Sequence, residues 1–199
     1  MQTITSPQNG HIKDVIKLSK RAVRDQRRLT VVEGLREASR ALDHQIIPRA
    51  VYYCPELLKG AEAAEWSSRL QALEQQQGTQ VYKVSTEVFA KLAYREASDG
   101  LLFVIPYLER TLAELPLRRP PLLCVIEGVE KPGNLGAILR TADAAGVDGV
   151  IVCAGATDLH NPNVIRASLG TLFTVPIAEA PSAETISWLR HQGIAIVAT

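Results

Sequence analysis

The sequence predicts an α/β protein built in two parts, and three of its features carry that expectation. Short apolar runs alternate with stretches of helical periodicity over residues 30–105. A stretch with Pro106, Pro116, Pro120 and Pro121 then breaks the alternation. From Leu122 the same alternation resumes and runs to the end of the chain. Strands alternating with helices imply parallel pairing, because a crossover helix returns the chain to the same edge of the sheet. The expected division is residues 1–106, a connector over 107–121, and residues 122–199.

In order along the chain, residues 11–28 read as one helix. At 100° per residue, Lys13, Lys17, Lys20, Arg21, Arg24, Arg27 and Arg28 fall in a stripe roughly 120° wide. Val15, Ile16, Leu18, Ala22 and Val23 fall opposite, as a packing face. Thr30–Glu33, Ala50–Tyr53, Gln80–Val84 and Leu101–Ile105 read as strands. Leu35–Asp43, residues 56–76 and a short piece capped by Ser85 read as helices, with Gly78 closing the long one. The connector holds a short helical piece around Leu108–Leu115. In the second part, Leu122–Glu127, Gly149–Cys153, Leu172–Val175 and Ile194–Ala198 are the expected strands. Helices are expected over Asn134–Ala145, from Pro162 behind an Asn161 cap, and over Ser182–Gln192.

Composition excludes several classes. The 199 residues are 46% hydrophobic and 22% charged, an ordinary globular balance. No apolar run approaches the roughly 18 residues of a membrane span, and Met1–Pro7 lacks a signal-peptide pattern. The three cysteines, Cys54, Cys124 and Cys153, are widely spaced among apolar residues and read as buried free thiols, without zinc spacing. A cytoplasmic protein without a metal site is expected. The net charge of +1 hides an asymmetry: residues 1–40 hold nine basic and four acidic side chains, so they carry +5 and the rest carries −4. That bias points to a polyanion partner for Lys13, Lys17, Lys20, Arg21, Arg24 and Arg28.

The densest candidate for chemistry is Glu127–Asp143, a strand running through a Gly/Pro loop into a helix. Such a helix start offers free N–H groups to an anion. Asn134 sits there, and Arg140 points away from the expected packed face of Leu135, Ile138, Leu139, Ala142 and Ala145. An always-charged guanidinium suits a phosphate or a polarised hydroxyl. The residues alone equally allow Asn134 as a plain N-cap and Arg140 as the partner of Asp143. Gly133-Asn134-Leu135-Gly136 is not a G-x-G-x-x-G turn, and G-x-x-x-x-G-K-[ST] is absent, which disfavours nicotinamide and ATP sites and a small-molecule-binding domain. His11, His44, His160 and His191 all sit at turns or element ends and are expected at the surface.

Val125–Asp143, with its PGNLGAILRTAD core, resembles the first conserved motif of the SpoU/TrmH branch of the SPOUT RNA methyltransferases. Asn161–Phe173, containing RASLGTLF, looks like the segment that follows it. Val31–Ala38 and the strand around Phe103, preceded by Ser98-Asp99-Gly100, resemble the family's substrate-binding domain, whose fold is like that of a small ribosomal RNA-binding protein. The resemblance implies S-adenosylmethionine as methyl donor and a ribose 2′-hydroxyl of rRNA or tRNA as acceptor. It implies Arg140 and Asn134 as catalytic residues, with Arg140 helping to activate or orient the hydroxyl and hold the adjacent phosphate, and Asn134 helping to orient Arg140 and the substrate. It also implies a homodimer.

The family's two later motifs, which form its knot, cofactor pocket and much of its dimer interface, do not occur in these residues. The second part is therefore expected to be the first portion of a SPOUT domain, with the cofactor-binding residues beyond Thr199 and no methyl transfer by this portion alone. The competing expectation is a non-catalytic RNA-binding protein. Asn134 and Arg140 at the ligand edge of a sheet favour the enzyme.

Overall fold

The structure, a computed structural model, describes residues 1–95, 97–153 and 157–198. It divides into two compact units, Met1–Tyr107 and Leu108–Thr199.

The first unit runs β1 (Gln2–Ile4), α1 (Gly10–Lys17), α2 (Arg21–Arg27), β2 (Leu29–Glu33), α3 (Leu35–Asp43), β3 (Ala50–Tyr53), α4 (Gly60–Gln77), β4 (Gln80–Val84), α5 (Thr86–Leu92) and β5 (Leu101–Pro106). The strand order is β1-β4-β3-β5-β2. β1, β4 and β3 are parallel, whereas β5 is antiparallel to both its neighbours, so the sheet is mixed rather than largely parallel. Gly100 leads into β5 at a φ of 77°, and a Cβ there would meet Leu57 Cβ at 2.7 Å and Cys54 O at 2.8 Å. β5 alternates between two buried faces. Leu102 and Val104 pack with Ile12, Val15, Leu18 and Phe89 from α1 and α5. On the other face Phe103 meets the edge of Trp66 from α4, ring centroids 6.0 Å apart. Burial on both faces explains why β5 reads as an unbroken apolar run.

The expected single helix over 11–28 is two helices, broken around Leu18–Lys20. Leu18, Ser19 and Lys20 close the first through N–H bonds to Val15, Ile16 and Lys17. Ile16 consequently lies 40% exposed rather than packed.

In the second unit a 3-10 turn (Leu112–Glu114) precedes β6 (Leu123–Glu127), α6 (Pro132–Ala145), β7 (Gly149–Cys153), α7 (Pro162–Ala167), α8 (Thr171–Thr174), β8 (Ile177–Glu179) and α9 (Ser182–His191). The stretch read as a connector is packed here: Leu112 and Leu115 are buried against Ile151, Cys153 and Ala178, and the Thr111 and Glu114 side chains cap the 3-10 turn reciprocally. The sheet is parallel throughout, in the order β6-β7-β8.

Two expected strands are corrected. Residues 172–174 are helical, because Gly170 at φ 83° starts the short helix α8 there, and only Val175 is extended. Pairing begins only after Pro176, whose carbonyl accepts from Val150 N–H at 2.9 Å. Residues 194–198 form no strand, since extended chain becomes a strand only when a neighbour supplies the ladder. Val197 is 86% exposed there. His160, expected at the surface, is buried, with its Nε2 3.1 Å from Leu108 N and 3.1 Å from Leu108 O. Cys54 and Cys153 are buried and free as expected, and Cys124 is free and partly buried.

Candidate functional site

The strand–turn–helix candidate forms at the carboxyl end of β6. Gly128 turns the chain at φ 69°, and α6 starts with Pro132 at its first position, where a missing N–H costs nothing. Lys131, not Asn134, is the N-cap. Asn134 is the third helical residue. Its backbone N–H bonds Lys131 O at 3.0 Å, and its side chain is exposed.

Leu135, Gly136, Leu139 and Ala142 are the buried face of α6, whereas Ala145 is exposed and Ile138 only partly buried. Gly136 is what lets α7 come close. A Cβ built on it would lie 2.5 Å from Ala167 Cβ and 2.6 Å from the Ala167 backbone carbon. One turn later on α6, the exposed Arg140 donates from Nη1 to the carbonyl of that same Ala167. The close helix approach thus sets where the guanidinium sits. Asp143 is not its partner, because it accepts from Thr174 Oγ1 at 2.7 Å. Asn134 lies six residues before Arg140, about 9 Å along the axis and roughly 120° around it. The anchor that orients Arg140 is α7, and Asn134 is not part of it.

The turn after α7 is pinned by its own hydroxyls. Asn161 Oδ1 caps α7 by accepting from Asn163 N–H at 2.9 Å. The buried Ser168 donates to Ile165 O, and Thr171 Oγ1 to Ser168 O, both at 2.8 Å. At the other end of the strands, Asp148 accepts from Leu122 N–H at 2.8 Å and from Arg118. That backbone bond first, with the guanidinium behind it, holds its carboxyl below the usual range.

A groove of about 640 Å³ lies on the sheet face between β6, α9 and residues 196–198. Its walls are mostly apolar, including Ile126, Ile138, Ile186 and Val197. Its carboxylate, Glu127, is held by the Ser182 hydroxyl. These residues do not by themselves fit a charged sulfonium nucleoside, and none of them is assigned to one. No cluster of His, Cys, Asp or Glu among the described residues could hold a metal ion.

The cations expected as one stripe are divided in the first unit. Lys13, Lys17, Lys20, Arg21 and Arg28 are exposed. Arg24 is not, and is 2% exposed. Its Nη1 donates to Leu18 O at 2.8 Å and Ser19 O at 2.9 Å, closing the break between α1 and α2. A cation that satisfies a helix's last carbonyls is stabilising there and unavailable to a ligand. Arg28, at φ 54°, lies over the Tyr107 ring, 4.5 Å from its centroid. Asp14 accepts from Lys17 at 2.8 Å and from Arg27 at 3.4 Å. Those two bonds, the Lys17 one first, hold its carboxyl below the usual range.

Periodicity could not show that Arg24 turns inward, because the signal for the break is a weak Ser-Lys pair in an otherwise helical run. A guanidinium anchored across two helices of a parallel-sheet unit, on a chain whose other unit exposes a set of cations, suits an enzyme acting on nucleic acid. Comparison with known proteins makes the class definite. The SpoU rRNA Methylase family matches residues 121–199, and an MRM3-like substrate binding domain matches residues 9–102. An uncharacterized tRNA/rRNA methyltransferase of Synechocystis is 30% identical over 99% of this chain and 69% of its own length. A 23S rRNA (guanosine(2553)-2′-O)-methyltransferase of Bacillus subtilis is 28% identical over 100% of this chain and 73% of its own. The crystal structure of an AdoMet-bound rRNA methyltransferase from Sinorhizobium meliloti superposes with a TM-score of 0.84 at 28% identity, over 95% of this chain and 68% of that one. The chain belongs to the SpoU family of RNA methyltransferases.

Proposed function

We propose that this chain recognises rRNA or tRNA and directs transfer of a methyl group from S-adenosylmethionine to a ribose 2′-hydroxyl. The observation that carries this reading is Arg140, exposed and anchored on the Ala167 carbonyl, on the helix that follows the carboxyl end of β6. Parallel sheets present their ligands at that edge. When bound, S-adenosylmethionine supplies an electrophilic methyl group.

A 2′-hydroxyl is a weak nucleophile and needs alignment and activation. Arg140 cannot serve as a literal base, because its pKa exceeds about 12. Instead it stabilises the negative charge that develops on the oxygen and holds the adjacent phosphate. Asn134, its side chain exposed in the first turn of α6, binds the substrate rather than steering Arg140. Lys13, Lys17, Lys20, Arg21 and Arg28 contact RNA phosphates. Arg24 is withdrawn from that set, since it closes α1.

A cytoplasmic location fits the three unpaired thiols, and no helix among the described residues is long and apolar enough to cross a membrane. A homodimer formed through the second unit fits its exposed Leu122, Val125, Ile186 and Val197.

The test is Arg140→Ala in the intact protein, assayed for methyl transfer to rRNA and for RNA binding. Turnover is expected to fall roughly a hundredfold or more, as when one charge-stabilising donor is removed, with RNA affinity nearly unchanged. Wild-type turnover in the variant sinks the role of Arg140. RNA binding by the intact protein with no methyl transfer favours the non-catalytic reading.

A further inference from the structure

Beside the broken stripe, cations from distant parts of the sequence converge on one cleft. A cleft of about 280 Å³ opens where α1 lies over one end of the first unit's sheet. Arg27 comes to it from the end of α2, Arg49 from the residue before β3, His11 and Asp14 from α1, and Gln80 from the start of β4. Arg49 is exposed and, among the described residues, makes no ion pair. Its backbone, in contrast, is fixed, with N–H to Val104 O at 2.8 Å and its carbonyl accepting from Gln80 N–H at 3.1 Å. The single carboxylate, Asp14, pairs with Lys17 at 2.8 Å and more loosely with Arg27 at 3.4 Å, so Lys17 can hold it when Arg27 meets a phosphate. The rim is therefore net positive.

The wall is largely aliphatic, with the Tyr52 and His11 rings set among Val15, Leu18, Leu29 and Val104. Tyr82, outside the lining, stacks on Tyr52 with ring centroids 5.0 Å apart and planes at 17°. His11 continues the ladder, 4.9 Å from the Tyr82 ring. The inner two rings are buried and held, and the Tyr82 hydroxyl donates to Gln80 Oε1 at 3.0 Å. His11 is exposed at the ladder's outer end. Two arginines beside an exposed imidazole ring, with amide and carboxylate groups within the same cleft, are the parts that bind an unpaired nucleotide: charge for the phosphate, a ring for the base and polar groups for its edge.

We infer that this cleft is a second RNA contact, taking one unpaired nucleotide of the substrate with its phosphate on Arg27 and Arg49 and its base against His11. The inference rests on the RNA-methyltransferase reading and adds to it a site whose key cation, Arg49, lies outside the basic N-terminal segment.

The experiment compares the wild-type chain with Arg27→Ala/Arg49→Ala and with His11→Ala, titrating a short unpaired RNA oligonucleotide and a duplex of the same length over a salt series. The double variant is expected to bind the unpaired RNA roughly tenfold more weakly. Its salt slope should be shallower by about 1.4, the contribution of two phosphate contacts on a single strand. His11→Ala is expected to lose roughly fivefold or more, as when one stacked base is released. All three side chains lie at the surface, so circular dichroism should show unchanged folding. Variants that bind as the wild type does, with an unchanged slope, overturn the cleft while the methyltransferase reading stands. An equal loss on the duplex overturns the unpaired nucleotide as occupant. If the wild-type chain binds neither RNA, the cleft and the RNA reading fall together, whereas Arg140→Ala bears on catalysis alone.

Discussion

β5 and β6 are nearly the same word in the sequence, Leu-Leu-Phe-Val-Ile against Leu-Leu-Cys-Val-Ile, yet they occupy opposite environments. β5 is paired on both sides and covered on both faces, and its five residues from Leu101 to Ile105 are all buried. β6 is an edge strand of its sheet, with Val125 46% exposed and Leu122, just before it, 54%. An apolar run therefore marks a strand without saying how much of it is buried. Neighbours decide that, and they are distant in sequence. The two units differ in the same way. The first has a closed core with cations on its rim, and the second carries its candidate chemistry at an open edge.

The sharpest way to test the contrast is to truncate one side chain in each strand. Phe103→Ala should cost about 3–5 kcal/mol, because it removes a large buried ring and leaves a cavity. Val125→Ala should cost no more than about 0.5 kcal/mol, as a surface change does. Urea unfolding of the two variants measures both. Equal losses would mean that β6 is covered, and the contrast would be wrong.

Within the second unit, Gly136→Ala probes how Arg140 is placed. The added methyl meets backbone at 2.6 Å and must push α7 away, at a cost of roughly 1–3 kcal/mol for overpacking. The Ala167 carbonyl moves with α7, so kcat should fall while RNA affinity holds. A variant that loses stability but keeps wild-type kcat would show that α7 does not position the guanidinium.

The smallest expected effect is on acid stability, and it compares the two units through one carboxylate each. Asp14 and Asp148 are both held below their ordinary value of 3.8 in the folded chain. A depressed carboxyl stabilises the fold above its unfolded pKa and loses that contribution as pH falls through the lower, folded value. Wild type should therefore soften as pH falls below about 3.8, and Asp148→Asn should soften less over that range, in thermal melts followed by circular dichroism. A variant with the wild-type acid profile would show that Asp148 does not contribute.

Much of the site was legible locally. The Asn161 cap with Pro162 behind it, the Ser85 cap and the closing glycines at 78 and 146 are read from a few adjacent residues, because the bonds they make span only a few positions. Arg140 was legible as an outward cation on α6, since the helical period alone puts it opposite Leu135. Its anchor at Ala167 was not, because that bond joins residues 27 apart. Arg24 shows the same limit: a helical wheel places it with Lys20 and Arg28, and only the break after α1 turns it inward to Leu18 O and Ser19 O.

By itself the sequence determined the alternation of strands and helices, the strand–turn–helix that carries Asn134 and Arg140, and the excess of positive charge before residue 40. Local propensity, capping and side-chain period act over a few residues and need no distant partner. Tertiary structure alone decided that β5 runs against its neighbours, that residues 194–198 form no strand, that His160 is buried, and that Arg27 and Arg49 share a cleft with His11. Each of those outcomes depends on which distant segment supplies the next hydrogen-bond ladder or the next packed face, and no local pattern encodes that choice.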